Sequence, residues 1–141
     1  MIIAVRYQSR GGNTKVAAEA IAKATGVVAE PIEKPLDAHV DLLIVGGGVY
    51  AWGLDEALVS FLESLDPAKV NTVAAFTTAG AMNKTKDIDA IVKARGINVS
   101  KESLAVKFGP KYHATFGGAG KAVLSEKQTA VVGEFVKKVV G

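Results

Sequence analysis

Short apolar segments alternate with longer stretches of helical periodicity along the chain. The apolar segments predict five strands, and several are the near-continuous runs that form when helices cover both faces of a sheet. These strands are Ile2–Tyr7, Val27–Ile32, Leu42–Gly47, Val73–Thr77 and Leu104–Phe108. Lys107 interrupts the last segment and gives it a more alternating pattern, which indicates an edge strand.

Apolar residues three and four positions apart predict four helices. The helical stretches are Thr14–Thr25, Asp55–Leu65, Thr85–Arg95 and a last one that begins at Ser125. Gly26 follows the first stretch as a glycine follows many helix C-termini. Ser125 and Gln128 have the spacing of a capping box, which marks the start of the last helix.

This alternation is typical of an α/β domain, and we expect one domain over residues 1–141. The expected architecture is a doubly wound five-stranded parallel sheet with helices on both faces. Because crossover connections are right-handed, the strand order 2-1-3-4-5 is favoured. Ligands bind such sheets at the carboxyl ends of the strands, where the winding reverses between strands 1 and 3.

The loop after the first strand has the composition of an anion site. It consists of Ser9, Arg10, Gly11, Gly12, Asn13 and Thr14. Its glycines allow tight turns, its polar side chains can hydrogen-bond, and the helix that follows supplies unpaired N–H groups with a partial positive charge. The loop matches neither the dinucleotide fingerprint nor the P-loop with its lysine, so a monophosphate is the expected ligand. A plain glycine turn with a capping residue is the alternative.

Two further loops are predicted beside the first. The loop after the third strand runs from Gly46 to Gly53 and holds the candidate ligand contacts Gly48, Val49, Tyr50, Ala51 and Trp52. Glycines around two aromatic residues suit a flat apolar ring, although ordinary aromatic packing gives the same pattern. The loop after the fourth strand, 77–83, offers backbone groups at Thr78, Ala79 and Gly80 to a ring edge, and a tight turn of small residues is its alternative.

Composition and charge exclude several classes of function. The chain has no cysteine, which removes disulfides, thiolate metal sites and a cysteine nucleophile. Its net charge of +3 is spread along the sequence, so no nucleic-acid footprint is expected. We find no signal peptide and no apolar run long enough to span a bilayer, and we expect a cytoplasmic protein without membrane contact.

His39 and His113 have no third ligand at metal spacing, so no metal site is expected. The Gly109–Gly120 segment is a lid, a partner surface or disordered.

The stretch from Val5 to Ile21, VRYQSRGGNTKVAAEAI, resembles the flavodoxin signature. Gly47–Trp52, followed by Phe61 and Leu62, resembles the second flavin loop and the next helix of short flavodoxins. The resemblance implies a flavodoxin-like fold, FMN binding and electron transfer to a redox partner protein or a small acceptor. It also implies that Ser9, Asn13 and Thr14 hold the FMN phosphate. Tyr50 or Trp52 would stack on the isoalloxazine ring, and backbone near Gly80 would meet its pyrimidine edge.

Two other functions stay open on the same fold. One is an FMN-dependent quinone or flavin reductase, and the other is a binding module that has lost flavin. Gly11 stands where many flavodoxins have threonine, Arg6 takes a strand position that is usually apolar, and the sequence pI near 9.1 contrasts with the acidic character of most flavodoxins. A response regulator is excluded because the strand ends lack its acidic residues, and nothing supplies a hydrolase nucleophile elbow.

Overall fold

A computed structural model describes residues 1–79, 82–108 and 123–141. Within these ranges the chain forms seven strands and four helices. The strands are β1 (Ile3–Gln8), β2 (Ala29–Pro31), β3 (Val40–Tyr50), β4 (Gly53–Leu54), β5 (Val70–Ala79), β6 (Asn98–Val99) and β7 (Leu104–Lys107). The helices are α1 (Asn13–Thr25), α2 (Glu56–Glu63), α3 (Thr85–Ala94) and α4 (Glu126–Val140).

The sheet is parallel except for one short hairpin. Its order is β2-β1-β3-β5, and β6 and β7 both pair in parallel with β5 at the next position. The predicted order 2-1-3-4-5 is confirmed, with β5 and β7 as the fourth and fifth predicted strands. Two short strands were not predicted: β6 shares the edge with β7, and β4 pairs antiparallel with the end of β3.

The largest difference from prediction concerns the ends of β3 and β5. The predicted second loop begins at Gly46, whereas β3 continues through Tyr50. The predicted third loop begins at Thr77, whereas β5 continues through Ala79. Both predictions are wrong because the backbones of β3 and β5 stay paired as far as Gly48 and Thr78. At the other edge, β2 is shorter than the predicted Val27–Ile32, and Val28 is exposed.

Helices cover both faces of the sheet, as the apolar runs predict. Residues from α1 and α4 join one buried cluster with alternate residues of the central strands, including Val5, Ile44 and Phe76. Residues from α2 and α3 join a second cluster with the intervening strand residues, including Leu43, Val45 and Val73. Each central strand therefore contributes apolar side chains to two cores, which explains its continuous apolar sequence.

Gly46 lies where a side chain from the neighbouring strand crosses β3. A Cβ atom at this position would lie 2.1 Å from the Phe76 carbonyl oxygen and 2.6 Å from its ring. Phe76 is itself fully buried in the cluster that includes α1. The glycine is therefore needed for close packing inside a strand, and it does not mark a turn.

The helix ends agree with the sequence signals. Gly26 follows α1 in the left-handed conformation, and its N–H donates to the Ala22 carbonyl. Ser125 and Gln128 form the predicted capping box at the start of α4. Among the described residues, no helix combines the length and the apolar character needed to cross a membrane.

Gly46→Ala should destabilise the protein by about 1–3 kcal/mol or more, because the added methyl group overpacks a core that has no space for it. Gly133→Ala is the matched control, since a Cβ there meets nothing within 4 Å and the residue lies inside α4. That change should stabilise by about 0.5–1 kcal/mol. Urea unfolding of both variants measures the two effects. Equal stability of the two variants would contradict the packing assigned to Gly46.

Candidate functional site

The carboxyl ends of β1, β3 and β5 meet the N-terminus of α1 at one edge of the sheet. The loop from β1 to α1 turns sharply at Gly12, which is the N-cap residue and has φ 99°. The Ser9 hydroxyl oxygen accepts a hydrogen bond from the Gly12 N–H at 3.0 Å. A residue with a Cβ atom would be strained at this φ, so glycine permits the turn.

The N-terminus of α1 is open to an anion. Gly12 provides no side-chain cap, and the first turn of the helix contains no acidic residue. The first-turn N–H groups have no acceptor within the helix, and the helix dipole places partial positive charge beside them. A phosphate or carboxylate is the kind of group that this end of α1 can bind.

Two threonines connect α1 to the end of β5. The hydroxyl oxygens of Thr14 and Thr78 lie 2.6 Å apart, and either can donate the hydrogen bond. Both residues are almost fully buried. This hydrogen bond joins residues 64 positions apart and holds the start of α1 against the segment that was predicted as the third loop.

Unpaired polar atoms concentrate at this same edge. Four buried side-chain oxygens lack a hydrogen-bond partner among the described residues, and those of Gln8, Asn13 and Thr77 belong to the ends of β1 and β5 and the start of α1. The fourth belongs to Asp89 in α3. Buried polar groups are normally paired, so three unpaired groups at one edge indicate a place for a polar ligand or water.

Gln8 and Thr77 lie in one row across the sheet, on either side of Gly47. A Cβ atom on Gly47 would lie 2.7 Å from a Leu58 methyl carbon, so this row faces α2. Thr78 lies on the opposite face, where it contacts Thr14 of α1. A ligand across the end of the sheet would therefore meet polar groups from both faces.

Tyr50 lies over the end of β3 and reaches the first loop. Its hydroxyl oxygen accepts a hydrogen bond from the Arg10 N–H at 3.1 Å. The Arg10 guanidinium carbon lies 3.9 Å from the centre of the tyrosine ring, and that guanidinium is paired with Asp55 at 2.7 Å. Burial raises the pKa of the Tyr50 phenol above its ordinary value.

Trp52 is at the tip of the β3–β4 hairpin and is 79% exposed. Ala51 and Trp52 form the two-residue turn and have positive φ values of 48° and 72°. Glycine and asparagine are the usual residues in such turns, so this pair stores conformational strain. The turn therefore leaves an aromatic ring exposed at the end of the β3–β4 hairpin. Val49 is half-buried and pairs with Leu54 in the hairpin.

Arg6 does not take part in this edge. It is 8% exposed, and its guanidinium donates to backbone carbonyls of Val5, Lys34 and Pro35. Burial lowers the pKa of this guanidinium from its ordinary value. Arg6 therefore fixes the connection between β2 and β3, which accounts for a charge inside an apolar strand.

The structure brings most of the predicted site residues to one edge of the sheet. Ser9 to Thr14 form the first loop and the start of α1, Gly48 to Trp52 form the end of β3 and its turn, and Thr78 and Ala79 end β5. Gly80 and the Gly109–Gly120 segment with His113 lie outside the described residues. No group of three metal-ligating side chains occurs in the described part of the chain.

Gln8, Thr77 and Asp55 were not predicted as site residues. Gln8 carries a signal that was available, because a polar residue ends an otherwise apolar strand where ligands bind. Thr77 was included in the predicted third loop, but no contact with a ligand was predicted for it. Asp55 has no local signal, since it is paired with a residue 45 positions away.

Comparison with known proteins identifies the family and the fold of the chain. A family model described as a flavodoxin domain matches residues 4–130. The structure of a flavodoxin from the domain Archaea is similar over the full length of both chains, with a TM-score of 0.62 and 19% identity. The two-electron reduced flavodoxin of Megasphaera elsdenii has a TM-score of 0.62 and 20% identity over 97% of this chain and 99% of that chain.

An NADH:FMN oxidoreductase in its apo form is also similar, with a TM-score of 0.65 and 13% identity over 97% of this chain and 87% of that chain. These identities are low, so the solved structures establish the fold. No curated protein sequence matches this one.

Proposed function

Because the chain belongs to the flavodoxin-domain family, we propose that it binds FMN at the carboxyl edge of its sheet and carries electrons. The observation that carries this proposal is the group of unpaired polar atoms on Gln8, Asn13 and Thr77 beside the open N-terminus of α1. A ligand with a phosphate at one end and a polar ring at the other would pair with both parts of this edge.

The first loop fits a phosphate. The Ser9 hydroxyl already accepts from Gly12 and keeps its O–H to donate. When Thr78 donates to Thr14, the Thr14 O–H is likewise free for a phosphate oxygen. The Asn13 side chain, whose oxygen is buried and unpaired, adds an amide that can donate from the same helix end.

The ends of β3 and β5 fit the ring system. Tyr50 and Trp52 are the aromatic residues at this end. The Arg10 guanidinium already covers one face of Tyr50, whereas the exposed Trp52 side chain is free to cover an apolar ring. The Gln8 amide and the Thr77 hydroxyl offer both donors and acceptors to a pyrimidine edge. Backbone near Gly80 remains part of this proposal as well.

FMN supplies the redox chemistry that the side chains of this chain lack. The chain's residues bind the phosphate, orient the ring across the end of the sheet and exclude water from one of its faces. We assign the role of electron carrier because the first loop has no dinucleotide fingerprint. The partner is a redox protein or a small acceptor, and the cytoplasmic location stays a prediction.

Ser9→Ala should weaken FMN binding by about tenfold to a hundredfold, the effect of losing one hydrogen bond to a charged group. Riboflavin, which has no phosphate, should bind equally well to the variant and the wild type. Calorimetric titration with both ligands measures this. Ser100→Ala is the matched control, because the Ser100 hydroxyl also accepts a backbone N–H, from Glu102 at 3.1 Å. Ser100 lies away from the site, since its own N–H donates to Val73, well before the carboxyl end of β5.

Two results would oppose this assignment. If the wild type bound no FMN at high micromolar concentration, the chain would be a binding module without flavin. If Ser9→Ala weakened FMN and riboflavin equally, the hydroxyl would act only on the loop's structure.

The FMN-loaded protein should oxidise NADH and NADPH slowly when no partner is present, while a chemical reductant should still reduce it fully. The reason is that the first loop does not match the dinucleotide fingerprint. Steady-state absorbance at the nicotinamide band measures the rate. Rapid turnover by the isolated protein would assign it instead to the FMN-dependent quinone or flavin reductases.

A further inference from the structure

The Tyr50 side chain occupies space that only a glycine at position 48 provides. A Cβ atom on Gly48 would lie 2.6 Å from the Tyr50 hydroxyl oxygen and 2.7 Å from the ring carbon that bears it. The hydroxyl end of the ring therefore lies close against Gly48 and reaches the loop after β1. There its oxygen accepts from the Arg10 N–H.

Arg10 and Asp55 hold the phenol in this position. The guanidinium of Arg10 covers one face of the tyrosine ring at 3.9 Å. The Arg10 Nε and Nη2 atoms each lie 2.7 Å from Asp55 Oδ2. The other carboxylate oxygen of Asp55 accepts from the Ala57 N–H at the start of α2, which fixes the carboxylate. The first loop, the hairpin and α2 are thus joined through Arg10.

The hydrogen bond uses a donor in the loop that is proposed to bind phosphate. The Gly12 N–H is already donated to Ser9, so two amides of this short loop have internal acceptors. A phosphate on the loop needs N–H donors that point at it, and a backbone N–H makes one good hydrogen bond at a time. Phosphate and phenol therefore compete for the Arg10 N–H.

We propose that Tyr50 is a specificity-determining residue whose hydroxyl competes with the ligand's phosphate, so that it lowers the affinity of the site for FMN relative to riboflavin. This inference rests on the proposed function. The phosphate can use that amide only in a conformation in which the phenol has left Arg10. The apparent affinity is therefore the intrinsic affinity multiplied by the fraction of molecules in that conformation. Riboflavin makes no demand on the amide, so its affinity is not reduced.

The chemistry of the two acceptors gives the direction of the exchange. Burial raises the pKa of the phenol, and the charged groups beside it are Arg10 and Asp55. The phenol is therefore neutral at physiological pH, whereas the FMN phosphate is an anion. Hydrogen bonds to an anion are shorter and stronger than bonds to a neutral oxygen, so the phosphate displaces the phenol. The hydrogen bond that the phenol loses reduces the net free energy of FMN binding.

Tyr50→Phe tests this inference, because it removes only the competing oxygen and keeps the ring under Arg10. We expect FMN to bind the variant about twofold to tenfold more tightly than the wild type, as for the loss of one neutral hydrogen bond, with riboflavin affinity unchanged. Calorimetric titration with FMN and with riboflavin gives both constants. Tyr7→Phe removes a phenol oxygen from β1 and should change neither.

Each other result has a definite meaning. Weaker FMN binding by Tyr50→Phe would show that the hydroxyl holds the loop in its binding form, and an equal shift for both flavins would place its action on the ring. Equal FMN affinity in variant and wild type would overturn the competition while leaving FMN binding intact. If neither protein bound FMN, the proposed function would fail and this inference with it.

Discussion

Three side chains cross the central strand β3 at successive residues, and each crosses where β3 has no Cβ atom. Phe76 lies over Gly46, Leu58 over Gly47 and Tyr50 over Gly48. Because neighbouring strand residues point to opposite faces, the first crossing belongs to the core with α1, the second to the core with α2, and the third to the functional edge. Because β3 has no side chains at these three glycines, both cores pack closely against it near its carboxyl end. The position of the site depends on this packing.

The site follows from the way the sheet is wound. Connections from β1 and β3 leave toward opposite faces, so the space between their carboxyl ends is not covered by either helix layer. The N-terminus of α1 points into this space, and Gln8 and Thr77 lie at its border with unpaired oxygens. Arg10 and Asp55 hold the Tyr50 ring against the first loop. On the proposed function, the FMN phosphate and the Tyr50 hydroxyl compete for the same backbone donor, the Arg10 N–H.

Much of the fold could be predicted from local pattern. The apolar runs predicted that both faces of the sheet are buried. Gly26 and the Ser125–Gln128 pair predicted two helix ends, and the right-handedness of crossovers predicted the observed strand order. The run of three glycines misled the prediction, because an open loop and a tightly packed strand lack side chains in the same way. The hairpin was missed for a related reason, since its turn uses Ala51 and Trp52 where the usual signal is glycine or asparagine. The first loop was predicted from its residues, but Thr14–Thr78 and Arg10–Asp55 join residues 64 and 45 positions apart and have no local signal.

We propose that FMN binds across the carboxyl ends of β1, β3 and β5 with its phosphate on the first loop. Two-dimensional amide NMR spectra recorded during a titration with FMN test this residue by residue. The amide signals of Arg10, Gly12 and Thr78 should shift most, while those of β2 and the C-terminal end of α3 stay in place. If no signals shift, or if only residues away from this edge respond, FMN does not bind at this edge.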